Sequence, residues 1–387
     1  MNMNDLRRTL RRSTCGREPS GTPDEVPVVA FPMPVPAMSP ATASSGPKAA
    51  ALRARLAQTL TAADPWSGRS ALPTHLLTAA GLAARLREEL GVSVSGASVE
   101  ASAEPADTPG LSDFRTRTLP LTACQTLAEG LGVLGRAVMD LAHTPLGAHD
   151  AAAELAALRQ AMEYWADVAG VGSAETEIRP SRTASLPPTE AEGEPPLGAG
   201  AERWFIGHHC RFFLEATAAA LLTRAVTHVR RRQPERAADA LTQATVCVQG
   251  MPAAVAHACA LPAAQHGDET TPPEPDSPAQ PRPLSGRTHL TYRHYRQALA
   301  RVLTELPTPA AELRDRHPAL AHARTGLLHA DLIDGERHVH IAYTLLGTAR
   351  SSAQHPGAPT NAVTELRRIS HYRARQYAPL LRPADRS

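Results

Sequence analysis

The chain has 387 residues, 42% of them hydrophobic, which is enough for a sizeable buried core. Forty Lys and Arg against 38 Asp and Glu leave a formal charge of +2, too little to build a field for nucleic acid or an anionic membrane. Five cysteines without CxxC or CxxCH spacing exclude a zinc ribbon, a thioredoxin motif and covalent c-type heme attachment, and scattered thiols suit a reducing cytoplasm. No apolar run reaches about 18 residues, so no membrane span is expected. Arg7, Arg8, Arg11 and Arg12 precede Pro-rich sequence rather than an apolar stretch, so no secretory signal is expected either.

Residues 1–47 are rich in Pro, Ser, Gly and Thr and lack apolar periodicity. Such a stretch buries too little surface to offset its ordering entropy, and it reads as a dispensable disordered tail. A helical domain over 48–387 follows. Apolar spacing predicts helices at about 49–63, 75–90, 120–143 and 150–169, the last with Asp150 as N-cap. Residues 92–118 and 173–200 read as polar loops. A strong helix is expected from Glu202 to about Arg232, and another from Pro234 to about Gln249, broken by Gly250-Met-Pro252. A Pro-rich excursion at 264–286 reads as an insertion between helices, and further helices are expected at about 288–305, 309–331, 334–349 and 361–378. Alternating β-branched runs are nearly absent, so the chain is all-α.

Three segments carry chemistry. In Glu202-Arg-Trp-Phe205-Ile206-Gly-His-His209-Cys, Phe205, His209 and Phe212 share one helical face. An imidazole in an aromatic stripe is either a core histidine bonded to a carbonyl or a proton-handling group facing a pocket. Ser285-Gly286-Arg-Thr-His-Leu-Thr-Tyr292-Arg293 offers a guanidinium suited to a carboxylate, or else a surface arginine, with Arg296 a competing candidate. Arg337-His338-Val-His340 opens a helical run to Gly347. Two residues apart on a helix, His338 and His340 point about 160° apart and cannot both bind one metal ion. No HExxH or CxxC completes a zinc site around His208, His209 and Cys210, and no GxGxxG, Walker A or GxSxG lies in a strand-turn-helix context.

In order and spacing these segments resemble the tryptophan dioxygenase branch of the heme-dependent aromatic oxygenases. Glu202, Phe205, Ile206 and His209 fall in register with that branch's Glu-His-Leu-Phe-Ile-x-x-His-Gln. Ser285, Gly286 and Arg293 match Ser-Gly-Phe-Gln-Ser-x-Gln-Phe-Arg, and Arg337, His338, Leu346 and Gly347 match Arg-His-x-x-Met-Val-x-x-x-Ile-Gly. The resemblance spans about residues 202–370. It implies a helical bundle of the tryptophan dioxygenase type with heme b bound through His338 and His209 over the opposite, distal face. Arg293 would hold the carboxylate of an aromatic L-amino acid, with Phe205, Tyr292 and Thr360 around the substrate and dioxygen or hydrogen peroxide as oxidant. Homo-oligomers are common in that superfamily.

The departures narrow the reading. The Gly-Thr-Gly-Gly loop that follows the metal-binding helix in tryptophan dioxygenases is replaced by Ser351-Ser-Ala-Gln-His-Pro-Gly357-Ala-Pro-Thr360. The wider superfamily, with its tyrosine and methyltyrosine hydroxylases and the rearranging enzyme of the pyrrolnitrin pathway, is therefore the better comparison. Methyltyrosine hydroxylases bind heme through a thioether cysteine four residues after the metal-binding histidine. Ala342 stands there in this chain, so non-covalent heme is expected. The leading expectation is ring hydroxylation of a tyrosine- or tryptophan-like amino acid in specialised metabolism. Ring-opening or rearranging chemistry, and a cofactor-free helical scaffold, stay open.

Overall fold

The computed structural model describes residues 29–32, 46–66, 71–92, 114, 116–172, 199–260, 289–346 and 362–382. These residues are mostly helical. In chain order they form β1 (Val29–Pro32), α1 (Pro47–Ala62), α2 (Leu72–Leu90), β2 (Thr116–Leu119), α3 (Ala123–Leu141) and α4 (Ala148–Val168). Next come α5 (Ala199–Arg230), α6 (Pro234–Cys259), α7 (Leu290–Glu305), α8 (Ala310–Arg316), α9 (Pro318–Leu346) and α10 (Ala362–Leu381). None of these helices is long and apolar enough to cross a membrane.

Local chemistry explains several boundaries. Thr122 accepts from the backbone N–H of Gln125, and the Gln125 side chain accepts from the N–H of Thr122, a reciprocal capping box that starts α3. Pro residues in the first turns of α1, α2 and α6 fit positions where an N–H has no intrahelical partner. Gly91 ends α2 at φ +61°, a left-handed conformation that favours glycine.

The 32-residue α5 is the axis of the fold and packs against α3, α4, α6, α7 and β1. It is buried on most of its circumference, by Trp204, Phe205, Phe212, Phe213, Leu214, Leu221 and Leu222 together with the polar His208, His209, Arg211 and Glu215. Helices α9 and α4 pack on α6, and α10 closes over α9. At Gly207 an added Cβ would lie 2.5 Å from the Ala254 carbonyl oxygen and 2.5 Å from the Ala258 nitrogen, so glycine there permits close approach of α5 to α6.

Five expectations change. Val29–Pro32 lies in the stretch expected as a tail, yet it pairs in parallel with Thr116–Leu119, with Val29 and Phe31 buried. Its short apolar Val-Ala-Phe run gains burial that a composition average over 47 residues conceals. The same pairing places β2 inside the expected loop 92–118. Helix α6 continues through Gly250 and Pro252 to Cys259, because that face is buried and tertiary packing outweighs the local breakers. Helices expected at 309–331 and 334–349 are divided instead at His317-Pro318, giving short α8 and long α9. Asp150 is not the cap of α4: Gly147 is, and Asp150 sits in the first turn, paired with Arg337 at 2.8 Å. Most of residues 1–47, and the segments 173–198, 261–288 and 347–361, lie outside the described residues.

Candidate functional site

The chemistry gathers where α5 meets α9, α7 and the two strands. Trp204, His208, Arg211 and Glu215 recur at three- and four-residue intervals and share one face of α5. Phe205, His209 and Phe212 lie on the adjoining face. The two neighbouring histidines therefore have different surroundings.

Nδ1 of His208 donates to the Trp204 carbonyl at 2.7 Å, and its ring lies 4.2 Å from the Trp204 ring and 5.0 Å from Phe114. This tautomer leaves the Nε2 lone pair available. Burial drives His208 down to about 3, with the Arg211 and His338 charges adding to the shift, so the ring stays neutral. His209, fully buried, donates Nε2 to the Phe114 carbonyl at 2.8 Å. A third imidazole, His289, stacks on Phe212 at 3.8 Å with 6° between planes. Its Nε2 is 2.9 Å from Thr116 Oγ1 and its Nδ1 is 2.7 Å from Thr291 Oγ1. Burial holds it near 3, with His209 and His208 contributing. Phe31 closes the cluster edge-on against Phe212 and His289.

Arg211 links this cluster to α9. Its Nε donates to Glu215 Oε1 at 2.9 Å and its Nη1 to Asp334 Oδ1 at 3.0 Å, all three side chains being buried. Glu215 Oε2 accepts from Thr291 Oγ1 at 2.8 Å. Burial raises Glu215 to about 7 despite the opposing pull of Arg211. One turn beyond Asp334 stands His338, 27% exposed, with Nδ1 3.7 Å from Asp334 Oδ1 and 3.4 Å from Arg211 Nη1. Burial and the Arg211 charge lower its pKa. Its Nε2 has no protein partner among the described residues. His340 is exposed, on the other side of α9.

The remaining expected residues divide. Phe205 is buried between Trp204 and His209. The Tyr292 hydroxyl is occupied by Arg373 Nη2 at 2.7 Å. Arg293 is exposed on α7, whereas Arg296 is bound by Asp331 at 2.8 Å in a buried group with Tyr295 and Tyr377. Ser285, Gly286, Gly347 and Thr360 lie outside the described residues.

A family model described as SfmD 3-methyl-L-tyrosine peroxygenase matches residues 19–323, well over half the chain. The chain belongs to this family. No curated protein and no solved structure matches it. The match includes β1, His208, His209, Arg211, Glu215, His289 and Arg293, and it ends inside α9 before Asp334 and His338. The SfmD family is thus the setting for an oxidative enzyme, and the three buried imidazoles and the Arg211 ion pairs fall within the matched region.

His338 carries an imidazole whose Nε2 has no partner among the described residues, while its Nδ1 lies 3.4 Å from the donor Arg211 Nη1 and 3.7 Å from Asp334 Oδ1. Residues that the motifs did not single out are Arg211, Glu215, His289, Thr291 and Asp334. Three were legible: Arg211 and Glu215 are opposite charges four apart within one helix, and Asp334 precedes His338 by four. His289 and its partners Thr116 and Phe212 come together only through the fold.

Proposed function

We propose that this chain is a heme-dependent oxygenase that hydroxylates the ring of a tyrosine-like L-amino acid, with hydrogen peroxide as oxidant. The observation that carries the reading is the junction of α5 and α9, where Arg211 of α5 reaches Asp334 Oδ1 at 3.0 Å and His338 Nδ1 at 3.4 Å. Family membership supplies the reaction class, and the name of the family describes a peroxygenase acting on 3-methyl-L-tyrosine. The order of His209, Arg293 and His338 along the chain supports a bundle of the tryptophan dioxygenase type.

Heme b, held non-covalently, would supply an iron centre able to cleave the O–O bond. His338 would bind it, with Arg211 and Asp334 beside its Nδ1. His208 takes the general acid–base role: its Nε2 accepts a proton from peroxide and returns it to the departing oxygen, which leaves as water. His209, tied to the Phe114 carbonyl, holds the neighbouring turn of α5 in place. Arg293 remains the candidate for the substrate carboxylate, since it is the free-standing guanidinium on the turn of α7 next to His289. The balance is one peroxide reduced to water and one ring C–H converted to C–OH.

The test is an absorption spectrum of the protein supplemented with heme, followed by titration with 3-methyltyrosine, tyrosine and tryptophan. Stoichiometric binding, a shift with the tyrosines, and a product heavier by one oxygen with peroxide are expected. Absence of heme binding, or oxidation of no aromatic amino acid, defeats the proposal.

A further inference from the structure

Glu215 is buried on α5 and takes no part in the chemistry assigned to His208 and His338. Its Oε1 accepts from Arg211 Nε at 2.9 Å, so a proton on this carboxyl belongs on Oε2. From Oε2 a file of polar atoms runs to the strands. It is 2.8 Å to Thr291 Oγ1 on α7, 2.7 Å from there to His289 Nδ1, and 2.9 Å from His289 Nε2 to Thr116 Oγ1 on β2. All four side chains are buried.

Each of the three contacts needs one hydrogen between its two heavy atoms. With a neutral ring, only two arrangements supply all three. In the first, protonated Glu215 donates to Thr291, Thr291 donates to Nδ1, and Nε2–H donates to Thr116. In the second every direction is reversed: Thr116 donates to Nε2, Nδ1–H to Thr291, and Thr291 to the Glu215 carboxylate. The backbone N–H of Thr291, which donates to Nδ1 at 3.3 Å and caps α7, fits the first alone. Burial raises Glu215 to about 7, aided by Asp334 from α9 and opposed by Arg211 and the Thr291 hydroxyl. Burial also keeps His289 neutral, near 3, helped by His209 and His208 from α5 and by His294 and Arg293 from α7.

We propose that Thr291, His289 and Thr116 form a proton relay for Glu215. When the carboxyl ionises, its proton passes to Thr291, the Thr291 hydroxyl proton to Nδ1, and the Nε2 proton to Thr116, whose own hydroxyl proton leaves the file. One proton departs, no heavy atom moves, and the neutral His289 ring changes from its Nε2–H to its Nδ1–H tautomer. The relay consists of protein atoms and does not rest on the heme reading.

The experiment is 15N NMR of the histidine ring nitrogens in the full-length protein from pH 5 to pH 9, with His289→Gln identifying the signals of His289. Wild type is expected to protonate Nε2 at pH 5 and Nδ1 at pH 9, in one transition near the Glu215 value of about 7. In Glu215→Gln the amide oxygen faces Arg211 and the amide nitrogen faces Thr291, a copy of the protonated acid, so His289 should stay Nε2–H throughout. Thr291→Val cuts the file at similar shape and should also abolish the transition. A merely structural cluster leaves the tautomer fixed, so a wild-type ring protonated on the same nitrogen at both ends of the range overturns the proposal. A transition that persists in Glu215→Gln overturns it too. Should that variant fail to fold, persistence of the transition in Thr291→Val overturns it and its loss supports it.

Discussion

Nε2 of His209 donates across 2.8 Å to the carbonyl oxygen of Phe114, 95 residues earlier in the chain. That bond commits one of two adjacent imidazoles to holding the strand-side segment. His208 instead bonds within its own turn, to the Trp204 carbonyl at 2.7 Å. The two are thus separable by substitution. His208→Ala should retain the fold and abolish oxidation. His209→Ala leaves a buried carbonyl unsatisfied and a cavity in the aromatic cluster, costing about 2–4 kcal/mol of stability. Thermal unfolding and turnover of both variants check this. Normal turnover in His208→Ala would return the acid–base role to His209.

Phe31 packs edge-on against the stacked pair Phe212 and His289. Phe31→Ala should cost about 3–5 kcal/mol, and a chain starting at Lys48 should be less stable still, having lost β1 altogether. Urea denaturation measures both. An unchanged midpoint in the shortened chain would show that β1 contributes nothing to the core.

Gly207 has no room for a side chain against Ala254 and Ala258. Gly207→Ala must push α6 away from the turn of α5 that carries both histidines, and overpacking of this kind costs about 1–3 kcal/mol. The variant should show a lower melting temperature. It should also oxidise substrate more slowly than Gly81→Ala, where an added Cβ meets nothing within 4 Å. Equal behaviour of the two variants would rule out tight α5–α6 contact.

His257 is buried between Glu154, 3.0 Å from Nδ1, and Asp140, 2.8 Å from Nε2. Burial alone would lower its pKa, but the two carboxylates outweigh this and raise it to about 9 from 6.5. A folded-state pKa above the unfolded one stabilises fully below 6.5, and the gain is lost as pH rises through 9. The contribution is about 3 kcal/mol. The deficit of His257→Gln relative to wild type should therefore be largest at pH 6 and shrink towards pH 10 in urea melts. A deficit independent of pH would mean the ring is neutral in the fold.

Arg296 is bound by Asp331 whereas Arg293 is exposed. Arg296→Leu leaves buried Asp331 with Arg373 at 3.5 Å as its remaining counter-charge and should destabilise the protein by about 3 kcal/mol. Arg293→Leu should melt like wild type while weakening amino-acid binding in a spectral titration. Full affinity in Arg293→Leu would remove it from the substrate site.

The sequence by itself determined the helical class, because Ala/Leu/Arg texture at 3.6-residue spacing leaves few alternatives, and it placed most helices from 120 onward. It also marked His208, His209 and His338 as chemically distinctive, because polar rings inside apolar or family-like patterns stand out locally. Tertiary structure alone decided the surroundings of each ring. His208 and His209 point about 100° apart on one helix, so one bonds within its own turn and the other reaches the Phe114 carbonyl. Composition likewise could not reveal β1, since four residues gain their stability from a partner strand some 87 positions away in register, Val29 beside Thr116. His289 follows the same logic: it is an ordinary residue in its own segment and acquires its surroundings from Thr116, Phe31 and Phe212, supplied by other elements.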